Sequence, residues 1–267
     1  MNREEIYSDI GGVLGVVPSF FKSVPDAMLE LEWELYKRLQ LEEGPIPNKY
    51  RELLGLAVSA VSKCHYCTFY HTEVAKLWGA KDAEIEEAVR FAMSSSGWST
   101  YFDGLHFSFD ASKEAGLREC MSHWLREGRA VGEKAPLGEQ LLSDLANVAG
   151  GVPSPVRAMA GPVMKAEWSL FSRMWLEDGQ IPLKYRHLMG IAIAGQSKSS
   201  NLAVLHTAFA RAYGAGDPEI EAAVHYAKLS TGWSTYINGL QMDFERFKDE
   251  VTRACRHVRE AQAAAAR

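Results

Sequence analysis

The sequence predicts an all-α protein made of two tandem copies of one helical unit. Three observations carry that expectation. Residues 46–105 return at 181–240 without a gap, an offset of 135 residues with 30 of 60 positions identical. Apolar side chains recur three or four residues apart through most of each copy, the spacing of one helix face. No stretch alternates apolar and polar residues between hairpin signals, so no strand is expected. A period this long is not that of a solenoid, whose repeats run about 20–50 residues; it marks a duplicated domain. The expected units are residues 1–130, carrying a CxxC motif, and 136–265, without it. The join falls near 125–138 (LREGRAVGEKAPLG), where charge, Gly and Pro replace the apolar rhythm.

The helices follow in order. Residues 26–41 (DAMLELEWELYKRLQL) carry an amphipathic pattern behind Asp26, an N-cap candidate. Residues 49–61 (KYRELLGLAVSAV) are apolar nearly all round, the mark of a buried helix. Residues 66–78 form the next, and Gly79 suits the position just past its end. Residues 83–94 (AEIEEAVRFAMS) follow Asp82, again a cap candidate, with Glu86 close behind. The block GWSTYFDGL then leads into amphipathic sequence to about residue 125. Its WSTY core survives in both copies (98–101 and 233–236), which is best read as shared packing.

Composition narrows the function classes. With 47% hydrophobic and 24% charged residues the chain has ample material for a core, which excludes a disordered or fibrous protein. A net charge of −5 without a Lys/Arg block argues against a nucleic-acid surface. No apolar run approaches the roughly 20 residues that cross a bilayer, so no membrane partner is expected. The first ten residues, MNREEIYSDI, lack the apolar segment of a signal peptide. Four cysteines in 267 residues do not make a disulfide framework, so the expectation is a cytoplasmic globular protein.

One constellation carries chemistry. Cys64-His65-Tyr66-Cys67 is followed by His71. On a helix, residues i and i+3 lie about 60° apart and i+7 returns to within about 20° of i, so both thiols and the imidazole face one way. They sit at or near a helix N-terminus, where unpaired N–H groups and the macrodipole favour a thiolate. CxxC is also the shortest helical spacing whose thiols close a disulfide, so redox work is natural here. Copy two serves as an internal control: it reads Ser199, Ser200, Asn201 and Leu202 at the CHYC positions, and His187 in place of Glu52, while His71 is kept as His206. The losses concentrate at the thiol pair and at Glu52, an acid in an apolar helix that needs a partner, for which His71 is the candidate. The simplest account is one functional copy and one scaffold copy. Tyr66, His65, Asp103 and His106 are secondary candidates; Asp103 becomes Asn238 and His106 becomes Gln241. Cys120 and Cys255 are equivalent and read as structural.

The segment KYRELLGLAVSAVSKCHYCTFYHTEVAKLWGA resembles the core motif of the AhpD-type alkylhydroperoxidase and carboxymuconolactone decarboxylase family: Glu, eleven residues, CxxC, three residues, His. Glu52, Cys64, Cys67 and His71 match it in type and spacing. The resemblance implies an all-helical, homo-oligomeric protein with an antioxidant role. It implies a thiol-dependent hydroperoxidase or disulfide reductase, with Cys67 peroxidatic, Cys64 resolving and proton-donating, and Glu52 with His71 as proton relay. It further implies a redox-active Cys64–Cys67 disulfide, a peroxide substrate and a thiol or dithiol donor, with no bound cofactor or metal. That branch often has His immediately before the second Cys, where this chain has Tyr66. The decarboxylase branch lacks the CxxC; its lyase or isomerase chemistry is the alternative. A different class is a protein holding a metal through Cys64, Cys67, His71 and Glu52, a four-coordinate donor set. From helix position and nearness to His71, the thiolate is expected at Cys67.

Overall fold

The computed structural model describes residues 1–106 and 161–265, and among these every regular element is helical. In chain order they are α1 (Arg3–Leu14), α2 (Ser19–Lys22), α3 (Asp26–Tyr36), α4 (Asn48–Ser62), α5 (His65–Leu77) and α6 (Asp82–Gly104), then α7 (Gly161–Phe171), α8 (Leu183–Ser197), α9 (Ser200–Ala212), α10 (Asp217–Gly239) and α11 (Phe244–Ala265). The expected join at 125–138, the amphipathic run beyond residue 106 and Cys120 lie outside the described residues.

Two boundaries differ from the sequence expectation for physical reasons. The helix expected over 26–41 gives way at Lys37–Leu41 to a π-turn, which recurs at Ser172–Leu176 after α7. The wider turn leaves Gln40 facing inward at 3% exposure. The helix expected to stop near residue 94 runs on to Gly104. The small side chains of its middle explain this: Ser95 and Ser99 are buried, so the helix keeps close packing through SSSGWST. The expected caps shift by one residue, with Asp26 and Asp82 inside the first turns. Gly79 takes φ 81° just past α5, as a left-handed stop requires.

The two copies do not fold side by side. α4 packs on α8 and α10, α6 packs on α8, and α5 packs on α10 and α11. One apolar cluster joins Leu53, Leu56 and Phe91 of the first copy to Leu188, Ile193 and Tyr226 of the second. Tyr50 stacks on Tyr185, its own equivalent at the 135-residue offset, with ring centroids 4.0 Å apart. A residue that meets its counterpart marks a two-fold relation, here between halves of one chain. The long helix of each copy, α6 or α10, is thereby laid against the α4–α5 or α8–α9 pair of the other.

Candidate active site

The site is built at the turn between α4 and α5. Lys63 ends α4 in the left-handed region, φ 58°, and Cys64 follows as the extended N-cap of α5. From that position the Cys64 sulfur accepts the Cys67 backbone N–H at 3.2 Å. One turn on, the Cys67 sulfur stands 2.6 Å from that of Cys64. Both thiols are free and buried.

The sequence expectation placed the thiolate at Cys67; the donors around the pair favour Cys64 instead. The Cys67 thiol beside Cys64, the Ser234 hydroxyl, the Cys67 N–H and the Asn238 amide (3.2 Å) all favour a charged Cys64 sulfur. Together they outweigh burial and push the Cys64 thiol down to about 5. Cys67 is pushed up, because its proton is held in the bond to Cys64, it is buried, and it faces the Cys64 charge. The surroundings thus favour the first ionisation at Cys64 over Cys67.

Glu52 and His71 meet as the residue pattern indicated. Glu52 Oε2 lies 2.8 Å from His71 Nδ1, with the carboxylate fully buried and the imidazole 2% exposed. His71 Nε2 faces the Ser230 hydroxyl at 3.0 Å. Glu52 Oε1 is 2.7 Å from the Tyr226 hydroxyl, which is also 2.6 Å from Gln40 Oε1. One hydroxyl carries one proton, so the assignment that satisfies both has Tyr226 donating to the carboxylate and Gln40 turning its NH2 to the tyrosine oxygen. With Glu52 as acceptor, Nδ1 carries its proton and Nε2 is the basic nitrogen, bridged by Ser230. Gly55 makes this approach possible, since a Cβ there would stand 2.4 Å from the His71 ring. Gly190 does the same for His206.

Cys67, His71 and Ser230 line one cavity of about 30 Å³, closed by Phe20, Trp233 and Phe247. It has room for about two water-sized groups. Trp233 is also in the wall of an outer cleft of about 450 Å³ floored by Val24, Met28, Leu35 and Leu229, with His225 and Lys228 beside them. Both ring nitrogens of His71 are engaged away from the sulfurs. Among the described residues no group of three or more His, Cys, Asp and Glu is placed to hold a metal.

The secondary candidates do not join this site. His65 is exposed and packs on Tyr66 and Phe244. Tyr66 is buried and gives its hydroxyl to the Met242 carbonyl, a tie between copies. Asp103 takes the Asn201 amide at 3.0 Å, at the opposite site, and His106 is exposed at the end of α6 with φ 53°. Cys255 is buried, and burial pushes its thiol up to about 12, in keeping with a structural role. The residues that sequence reasoning missed are Gln40, Tyr226, Ser230, Ser234 and Asn238. Four of them belong to α10, so the second copy is more than a scaffold. The signal was present as differences between copies, Phe91 against Tyr226 and Asp103 against Asn238, but it has to be read across the interlock.

The equivalent second site is a closed histidine pair. His187 Nε2 donates to the Trp175 carbonyl at 2.9 Å, so its Nδ1 accepts from His206 Nδ1–H at 3.1 Å, and Ser95 caps His206 Nε2 at 2.9 Å. Trp175, standing where the first site has Gln40, stacks on His206 at 4.3 Å. Burial pushes His187 down to about 3 and His206 well below its usual value, so both are neutral when folded. In the unfolded chain they protonate below about pH 6.5. Their contribution is therefore complete above that pH and falls as pH drops below it, for His187 down to about 3, by about 2 kcal/mol per neutral histidine between pH 7 and pH 5. Cys64, ionised when folded down to about 5, acts in the same direction between pH 9 and 5. Unfolding followed by denaturant at pH 7 and 5 should show this fall, and Cys64→Ser should retain the histidine part. A flat profile in Cys64→Ser would contradict the neutral pair.

Residues 23–108 match the sequence model of the carboxymuconolactone decarboxylase family. The chain is similar in fold to a crystal structure from Burkholderia xenovorans LB400 described as a gamma-carboxymuconolactone decarboxylase subunit. The two are 16% identical with a TM-score of 0.56, over 89% of this chain and 95% of that one. No curated protein sequence matches the chain. Among the described residues no helix is long and apolar enough to cross a membrane.

Proposed function

From the match of residues 23–108 to the carboxymuconolactone decarboxylase family and the geometry of the thiol pair, we propose that the chain is a dithiol oxidoreductase that reduces hydroperoxides. The observation that carries this reading is the Cys64–Cys67 pair, with sulfurs 2.6 Å apart and Cys67 open to a cavity it shares with His71. The cavity has room for an O–O group, and the adjoining apolar cleft offers space for an organic substituent.

In the proposed step the Cys67 proton passes to Cys64 as the Cys67 sulfur attacks the terminal peroxide oxygen. The O–O bond breaks, and the departing alkoxide takes the proton now on Cys64, relayed by His71 Nε2 and the Ser230 hydroxyl, leaving Cys67 as sulfenic acid, Cys64 as thiolate and the alcohol as product. The Cys64 thiolate then attacks the Cys67 sulfur, and the released hydroxide takes a proton from solvent and leaves as water. One thiolate, one thiol, one hydroperoxide and one proton become one disulfide, one alcohol and one water. A dithiol donor restores the pair by exchange.

The test is consumption of an organic hydroperoxide with a dithiol reductant in excess. Multiple turnover that stops in Cys67→Ser supports the reading; no consumption by the parent protein contradicts it. A second reading, lactone decarboxylation, is favoured by the family match and by the Glu52–His71 acid–base pair. Its signature would be activity on a carboxymuconolactone that survives Cys67→Ser. Zinc retained through dialysis against a chelator, and shielding both thiols from peroxide, would favour a metal site over either.

A further inference from the structure

Asn238 has a place in the site but no part in the steps above. It lies on α10 and is exposed, yet its amide nitrogen donates both to the Cys64 sulfur at 3.2 Å and to the Ser234 carbonyl at 2.7 Å. Two N–H groups with two fixed acceptors leave the side chain one orientation. Its equivalent is Asp103, the same shape with a carboxylate in place of the amide. That carboxylate accepts from Asn201 at 3.0 Å and from the Ser99 hydroxyl at 3.3 Å, beside the site that has no thiols. The two positions thus differ as donor and acceptor, and the donor stands where the sulfurs are.

We propose that Asn238 is a positioning residue of the dithiol: from the second copy it holds the Cys64 sulfur at the N-cap of α5 as the anionic partner, leaving Cys67 as the protonated sulfur that faces the cavity. A carboxylate in its place would set a negative charge where an N–H now points and would drive the first ionisation away from Cys64. The other titratable groups at the turn are Lys63 and His65, both exposed, Tyr66, whose hydroxyl is given to the Met242 carbonyl, and Cys67 itself. On α11, packed against α5, Arg246 pairs with Glu250 at 2.9 Å and Lys248 with Glu245 at 2.8 Å, so those charges are matched within their own helix. The consequence for turnover rests on the dithiol reading; the ionisation does not.

Thiolate ultraviolet absorbance followed against pH tests this on the full chain. Asn238→Asp should raise the apparent pKa of the first thiol by about one or more, Asn238→Ala should raise it by less, and Asp103→Asn should leave it unchanged. Should the aspartate variant fail to fold, the alanine variant decides. Titrations of Asn238→Ala and Asn238→Asp that superimpose on the parent would overturn the proposal, as would an equal shift in Asp103→Asn. The readout needs no substrate, so a parent protein inert to peroxide would bear on the proposed function and not on this role.

Discussion

Replacing Cys67 with serine is expected to reduce hydroperoxide turnover to the uncatalysed level, whereas Cys64→Ser is expected to consume one equivalent and stall as sulfenic acid. The asymmetry follows from placement. Cys67 lines the cavity with His71, so it meets the oxidant; Cys64, at the N-cap beneath Asn238, is within reach of Cys67 and acts second. A sulfenic acid without a neighbouring thiol has no route to a disulfide within the chain and persists until an external thiol or a second peroxide reaches it. Trapping with a sulfenic-acid reagent, located by peptide mass, distinguishes the two variants. Full multiple turnover by Cys64→Ser, or sulfenic acid found on Cys64 in Cys67→Ser at the parent rate, would reverse the assignment.

A chain ending near residue 130 is expected to be inactive and to aggregate. The interlock gives two independent reasons. It would lose Tyr226, Ser230, Ser234 and Asn238, which complete the carboxylate, imidazole and sulfur contacts of the first copy. It would also uncover Leu53, Leu56 and Phe91, which lie in a cluster shared with the second copy, leaving an apolar face that a soluble monomer does not expose. Supplying residues 136–267 as a separate chain during expression should recover soluble, active protein. A soluble and fully active first half would show that the second copy is dispensable and would remove this account of the site. His206→Ala should cost stability with little loss of activity, whereas His71→Ala should cost activity, because only His71 lines the cavity that holds Cys67.

The helical class and the duplication were legible because both rest on periodicity, and the 135-residue offset reappears in every pair of equivalent helix bounds from α3 and α7 onward. The Glu52–His71 pair was legible because an acid in an apolar helix requires a partner and the second copy exchanges that acid for His187. Two features were not legible. The ionisation order depends on which sulfur collects the donors, and the distant donor that Cys64 has and Cys67 lacks is Asn238, 174 residues away in the chain. The role of Asp103 was hidden for the same reason: its equivalent, not Asp103 itself, faces the thiols. A comparison of aligned positions assigns each difference to its own copy, whereas the interlock assigns it to the other. The extent of α6 was missed because small residues read as a break in the apolar rhythm, when in fact they permit close helix packing.

Counting free thiols and measuring intact mass before and after a brief hydroperoxide pulse tests the central claim most directly, with protein prepared free of metal and exogenous thiols. The account predicts the loss of two thiols and of the mass of two hydrogen atoms, with Cys64 and Cys67 joined in one peptide-mapped disulfide that a dithiol reverses. Retention of both thiols after the pulse would contradict it, as would oxidation confined to other residues while Cys64 and Cys67 remain free.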